Sequence, residues 1–381
     1  MQNVPFFLPN INEAEVEEVT QVLMHQTPMH AEESRVARLE EEFRSYIGVK
    51  HAISASNGAS AMHLCLCALD LKRGDKVICS VNCHPFIPEA IRYFDAEPIF
   101  VDVSEDHFNM LPEQCEKILE KNDSKKLRGI IVSHIGGALA DVDRFYELGK
   151  KYKIKIIEDA TEAMGLTHKG KKIGSLKADA TIFSFFPERL HSIANAGMMV
   201  ANNDELAKKA FLLRYHALVH ERAGGERPEY LYDVLDIGNR YDLSQLSAAC
   251  ALIQLRKQED AIKRHKEIAK IYDRELKSLQ HLSIPARVGS HTFSAYIVKI
   301  DKNRDGFARE LMARGIHTDL HYIPLHLLSY YKNKYRLKVN NFPNALRNFQ
   351  QVLSLPIYAK LSNDEVYYVC EQLRLVDKGR I

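Results

Sequence analysis

Three short apolar runs follow one another within residues 153–202, and they limit the fold more than any other feature of the chain. Ile154, Ile156 and Ile157 lead into two acids, Glu158 and Asp159. Residues 180–186 carry Ser184 among aromatic side chains, and Met198–Ala201 follows Gly197. Apolar runs of this length, broken by Gly and polar loops, read as buried strands. In parallel sheets functional groups collect at the C-terminal strand ends, which is where Asp159 falls.

The residues before this stretch alternate in the same way. Asn12 can cap a helix with Val16, Val19, Val22 and Leu23 on one side. After a break at residues 26–30, a second helix carries Val36, Leu39, Phe43 and Ile47 and stops at Gly48. Strands are expected at 51–56, 76–81, 98–103, 129–134 and 154–157, with helices between them. That spacing defines βαβ units, hence an α/β fold with a mainly parallel central sheet and helices on both faces. Beyond it come a polar loop at 219–236, a long helix over 243–276, and a smaller α+β C-terminal part. The expected division is a large domain, 1–250, and a small one, 251–381.

A net charge of +2 gives no electrostatic reason to expect nucleic acid or an acidic membrane as partner. No run of about 18 apolar residues is present. The start, MQNVPFFLPNINEAE, lacks the basic-then-apolar pattern of a secretory leader, so the cytoplasm is the expected compartment. Seven scattered cysteines suit reduced thiols. Cys65 and Cys67 diverge on a helix and read as packing rather than metal ligands, and no metal site is expected.

Two constellations can carry chemistry. Residues 56–61 (Ser-Asn-Gly-Ala-Ser-Ala) end a strand and open a helix, which makes either an anion site or a tight turn with a serine cap. Asp159, with Glu162 three residues on, is an acid that burial would force to pair; a protonated pyridine nitrogen and a structural arginine would both serve. Ser184 could hold a phosphate oxygen or bond to backbone.

The order of these pieces resembles the DegT/StrS-type sugar aminotransferases, pyridoxal-phosphate enzymes of fold type I. The family pattern S-G-T-S-A-L-H-L appears as residues 57–64, G-D-E-V-I as 74–78, and A-x-P-x-F-V-D as 96–102. E-D-A-A-Q-A appears as 158–163, F-S-F-x-P-x-K as 183–189, and N-Y-R-L-S as 240–244. Tyr322-Ile323-Pro324-Leu325-His326 and Leu355-Pro356 match late features. The resemblance implies transfer of an amino group, usually from glutamate, to a nucleotide-linked keto sugar, with pyridoxal 5'-phosphate or pyridoxamine 5'-phosphate as cofactor. Asp159 would pair with the pyridinium nitrogen, and Glu162, at the family's Gln position, would sit by the ring or its phenolic oxygen. Gly58, Ala59, Ser60 and Ser184 would hold the phosphate, and His84 would stack on the ring. Arg240 would reach the phosphate of a neighbouring subunit, which implies a homodimer. His216, His321, Tyr322 and His326 resemble residues near the sugar.

The main departure is Arg189, at the family's Schiff-base lysine position. A guanidinium keeps its charge and cannot serve as the amine that shuttles a proton. No lysine occurs between Lys177 and Lys208 to take its place. Four readings stay open: an Arg-for-Lys variant, made to trap a cofactor–sugar adduct, of a transaminase; a divergent sugar dehydratase lacking that lysine, with His191 as a base; a non-catalytic relative that binds cofactor or sugar; and a surface arginine. Other departures are Ala59 in place of a Thr and residues 82–85 (Asn-Cys-His-Pro) in place of an aromatic-rich loop.

Overall fold

A computed structural model describes residues 2–25, 33–121, 125–185, 195–219 and 231–379. Among these, seven strands form the central sheet: β1 His51–Ala55, β2 Lys76–Ser80, β3 Glu97–Val101, β4 Leu127–Ser133, β5 Lys155–Asp159, β6 Ala180–Ser184 and β7 Gly197–Ala201. Their order across the sheet is 1-7-6-5-4-2-3. β7 runs against both its neighbours and every other pair is parallel. The expected α/β class and mainly parallel sheet are therefore what the chain forms.

Neighbouring residues of the central strands face opposite layers, as a two-residue period requires. Ile182 and Met199 enter the cluster formed with helices α3 (Gly58–Ala68), α4 (Phe86–Arg92) and α7 (Asp204–Leu213). Phe183, Met198 and Val200 enter the cluster on the other face, with α2 (Arg35–Ile47) and α8 (Gln245–Arg256). Burial on both faces explains why these strands read as continuous apolar runs. Helix α2 buries the four predicted side chains, Val36, Leu39, Phe43 and Ile47. Its start is capped by Ser34, whose Oγ accepts the Ala37 amide at 3.1 Å, and Gly48 ends it at φ 79°. That left-handed turn is one glycine adopts without strain.

Helix α1 (Glu13–His25) departs from expectation. Asn12 lies at its start, with Oδ1 accepting the Ala14 amide at 3.1 Å. Val16 and Leu23 are exposed, and the buried position is Glu15. Periodicity alone missed the reason: Lys257 Nζ lies 2.7 Å from both Glu15 carboxylate oxygens, and Gln254 also donates to Glu15. A buried acid is tolerable when so paired. Lys257 also marks the break that divides the single helix expected over 243–276 into α8 and α9 (Gln258–Leu276).

The C-terminal part holds a three-stranded antiparallel sheet of β8 (Leu282–Ser283), β9 (Tyr296–Ile300) and β10 (Val352–Leu355). It packs against α9, α10 (Arg304–Ala313) and α13 (Asn363–Lys378), burying Tyr272, Tyr296, Val298, Phe307, Leu311 and Val369. Val4 joins this cluster, its amide 2.7 Å from the Gly315 carbonyl. The first residues of the chain thus pack on its last third, and α8 runs across residue 250. Cys65 is buried and Cys67 is half-buried. No helix among the described residues is long and apolar enough to cross a membrane.

Candidate cofactor-binding site

Five strand ends meet at one edge of the central sheet. The register sets Ala55, Gly197 and Ser184 side by side, and Ser133 beside Asp159. After β1 the chain turns through Asn57 into helix α3. Asn57 caps the helix, accepting the Ser60 amide at 2.8 Å on Oδ1 and the Ala61 amide at 3.0 Å on its carbonyl. Asparagine, rather than a serine, is thus the cap. The first amides of a helix have no acceptor within the helix, and here the cap does not take those of Gly58 and Ala59. They are left for an acceptor from outside the helix, and the positive end of the helix dipole behind them favours an anion there.

Gly58 is required by crowding. A Cβ added there would lie 2.9 Å from Ser184 Cβ, 3.1 Å from its Oγ and 3.3 Å from Thr161 Cγ2. A Cβ on Gly197 would lie 2.1 Å from the Asn57 carbonyl oxygen. The two glycines let the turn close onto β6 and β7, and Ser184 faces the cradle so formed.

Asp159 ends β5 and is 6% exposed. Its Oδ1 accepts the Thr161 hydroxyl at 2.6 Å and the Thr161 amide at 3.2 Å. Glu162 is also buried. Its Oε2 accepts the Gly136 amide at 2.6 Å, and its Oε1 accepts the Tyr322 hydroxyl. Tyr322 comes from the C-terminal part, and His84 meets its ring edge-on at 6.0 Å. His84, Glu162 and Tyr322 thus form one group, and Asp159, Ser184 and the turn at Gly58, Ala59 and Ser60 another, joined by the short segment 159–162.

The remaining predicted residues are placed differently. His321 is buried beside Tyr322, with Nδ1 2.7 Å from the Ser354 hydroxyl. His326 is fully buried, with Nε2 3.1 Å from the Val339 carbonyl and its ring against Phe342; burial lowers its proton affinity. His216 and Arg240 lie on an exposed strip, where Tyr215 bridges Arg240 and the His216 amide meets the Asn239 carbonyl at 3.2 Å. Arg240 Nε lies 3.1 Å from Asp242. Arg189 and His191 lie outside the described residues, as does the break at 26–30.

Sequence reasoning missed Thr161 and the Gly136-Gly137 loop after β4. A Cβ on Gly137 would meet Thr292 Oγ1 at 2.1 Å. Two consecutive glycines just beyond a strand were the available signal.

These residues fit pyridoxal phosphate: an acid to hold a ring proton at one end, and a glycine turn with amides and hydroxyls for the phosphate at the other. Fold and site together define the class of the pyridoxal-phosphate-dependent sugar aminotransferases. Residues 9–374 match the DegT/DnrJ/EryC1/StrS aminotransferase family, and the chain belongs to that family. It is 32% identical to the uncharacterized protein MJ1066 of Methanocaldococcus jannaschii, over 98% of this chain and 97% of that one. It is 30% identical to the spore coat polysaccharide biosynthesis protein SpsC of Bacillus subtilis, over 99% and 97%. Among solved structures it is similar to Spr1654 of Streptococcus pneumoniae, assigned as a sugar aminotransferase, in its PMP form. That likeness has a TM-score of 0.91 at 25% identity and covers 100% of both chains.

Proposed function

We propose that this chain descends from aminotransferases that move an amino group, supplied by glutamate, onto a nucleotide-linked keto sugar, with pyridoxal or pyridoxamine phosphate as cofactor. The observation that carries the reading is the convergence of Asp159, Thr161, Gly58 and Ser184 at one sheet edge. When bound, the cofactor supplies the electron sink for this chemistry. Asp159 holds the proton at the pyridine nitrogen. The Gly58 and Ala59 amides, with the Ser60 and Ser184 hydroxyls, bind the phosphate. Glu162, anchored by Gly136 and Tyr322, orients the ring at its phenolic side, and His84 covers a ring face. His321 and Tyr322 stand on the sugar side. Arg240, on its exposed strip, serves the site of a second copy, so the working unit is a homodimer in the cytoplasm. Residues 1–250 form the large cofactor-binding domain and 251–381 the small C-terminal one, which sends Tyr322 to Glu162.

Arg189 cannot release a proton at a working pH, so transamination by the chain as it stands is severely impaired. The same arginine favours a second reading, a sugar dehydratase that uses the cofactor without a lysine, with His191 as its base. The test is the absorption spectrum of the purified protein, repeated after adding pyridoxamine phosphate and then nucleotide keto sugars, with glutamate turnover followed in wild type and Arg189→Lys. The first reading expects turnover only in Arg189→Lys. Water loss with ammonia release in the wild type establishes the second. No affinity for either cofactor form, with or without Arg189→Lys, overturns both.

A further inference from the structure

We infer that Thr161 is a positioning residue that fixes the Asp159 carboxylate for a pyridinium N–H, an inference that rests on the cofactor reading above. An aspartate carboxylate turns about a torsion with broad wells, so a buried one needs outside bonds to hold its plane. Thr161 supplies two, from its hydroxyl at 2.6 Å and its amide at 3.2 Å, and both fall on Oδ1. Among the described residues Oδ2 takes none. The carboxylate is therefore held from one side, with its second oxygen kept for a different donor.

The hydroxyl is itself aimed by packing. Thr161 Cγ2 lies 3.3 Å from the Cβ position of Gly58, so the methyl bears on the phosphate turn. A β-branched side chain has few χ1 choices, and a methyl set against the turn directs the hydroxyl to Asp159. One side chain thus ties the acid end of the site to its phosphate end. The family pattern quoted above has Ala at this position, which would supply neither the hydroxyl nor that methyl contact.

The test compares two ligands by calorimetric titration of the full chain: pyridoxamine phosphate, and its analogue with a ring CH in place of the nitrogen. Thr161→Val keeps the shape and loses the hydroxyl, and Thr161→Ser keeps the hydroxyl. Thr161→Val is expected to weaken pyridoxamine phosphate about fivefold, roughly the worth of one hydrogen bond. The ring-carbon analogue, which has no proton for Asp159, should change less than about twofold with Thr161→Val, and Thr161→Ser, which keeps the hydroxyl but loses the methyl that aims it, should weaken pyridoxamine phosphate less than Thr161→Val does. Equal weakening of both ligands by Thr161→Val assigns Thr161 to general packing and overturns the inference. An unchanged affinity for both overturns it as well. Wild-type protein that binds neither ligand is a separate result, because it removes the cofactor reading itself.

Discussion

Asp102 and Ala345 are joined across the chain: Asp102 Oδ1 accepts the Ala345 amide at 2.9 Å, while Oδ2 accepts the Asn344 amide at 3.0 Å. Both amides open the helix Pro343–Gln351, whose own cap residue, Phe342, makes no side-chain hydrogen bond. The Asp at the end of the sequence pattern at 96–102 is thus the cap of a helix that begins some two hundred and forty residues later. Helix N-termini favour a carboxylate through both the free amides and the dipole. Asp102→Ala is expected to lower stability by about 1–3 kcal/mol. In urea the midpoint should fall with an unchanged slope. Equal midpoints in Asp102→Ala and wild type would remove the cap from the list of interactions that hold the fold.

The glycine turn gives a prediction about binding. Gly58→Ala places a methyl 2.9 Å from Ser184 Cβ, in a turn that Gly197 also crowds. Either Ser184 or the turn must shift, and amides aimed at a phosphate lose their geometry. Affinity for pyridoxamine phosphate should fall more than about tenfold, since at least two charge-assisted hydrogen bonds are disturbed. If Gly58→Ala binds like wild type, the cradle is not where the phosphate sits.

Much of this was legible in the sequence, for local reasons. The helical spacing of Val36, Leu39, Phe43 and Ile47 and the apolar runs around Asp159 and Ser184 report burial directly. The parallel order then puts strand ends at one edge. What was not legible depends on which remote group a side chain meets. Nothing in the sequence around Glu15 announces its burial, which depends on Lys257 and Gln254 reaching it from α8 and its end. His326 matched a pocket pattern, yet its ring bonds to the Val339 carbonyl because the residues after it fold back. Thr161 carried no signal of its own, since a hydroxyl two residues after an acid is common and its aim is set by Gly58.

Tyr322 offers a test of how the C-terminal part reaches the site. Its hydroxyl donates to Glu162 Oε1, while Gly136 donates to Oε2 at 2.6 Å. A buried carboxylate that loses one donor costs about 1–3 kcal/mol. Tyr322→Phe should therefore lower the urea midpoint, and Glu162→Gln in that background should restore part of it by removing the charge. An additive double variant would show that the two side chains are not coupled.

Acid should loosen the segment that covers the Gly136-Gly137 loop. Phe293 sits between a buried histidine, His265, and a half-buried one, His291: its amide donates to His291 Nδ1 at 2.8 Å, and its carbonyl accepts from His265 Nδ1 at 2.9 Å. Next to it, the Thr292 amide meets the Gly137 carbonyl at 3.0 Å and the Ala295 amide meets the Gly136 carbonyl at 3.2 Å. Burial pushes His265 down to about 4 and His291 down to about 3. Both values lie below the ~6.5 of an open chain, so the unfolded chain takes up protons first as pH falls. The stabilisation is complete above about pH 6.5 and is lost as pH falls toward 4 and then 3. A proton on His291 Nδ1 would also remove the acceptor of the Phe293 amide. By pH 5 the loss should be on the order of 2 kcal/mol per histidine. Urea midpoints measured from pH 7.5 to pH 5 should fall in the wild type and flatten in His265→Gln/His291→Asn, where Asn can still accept from Phe293. The same acid slope in the double variant would place the pH dependence elsewhere in the molecule.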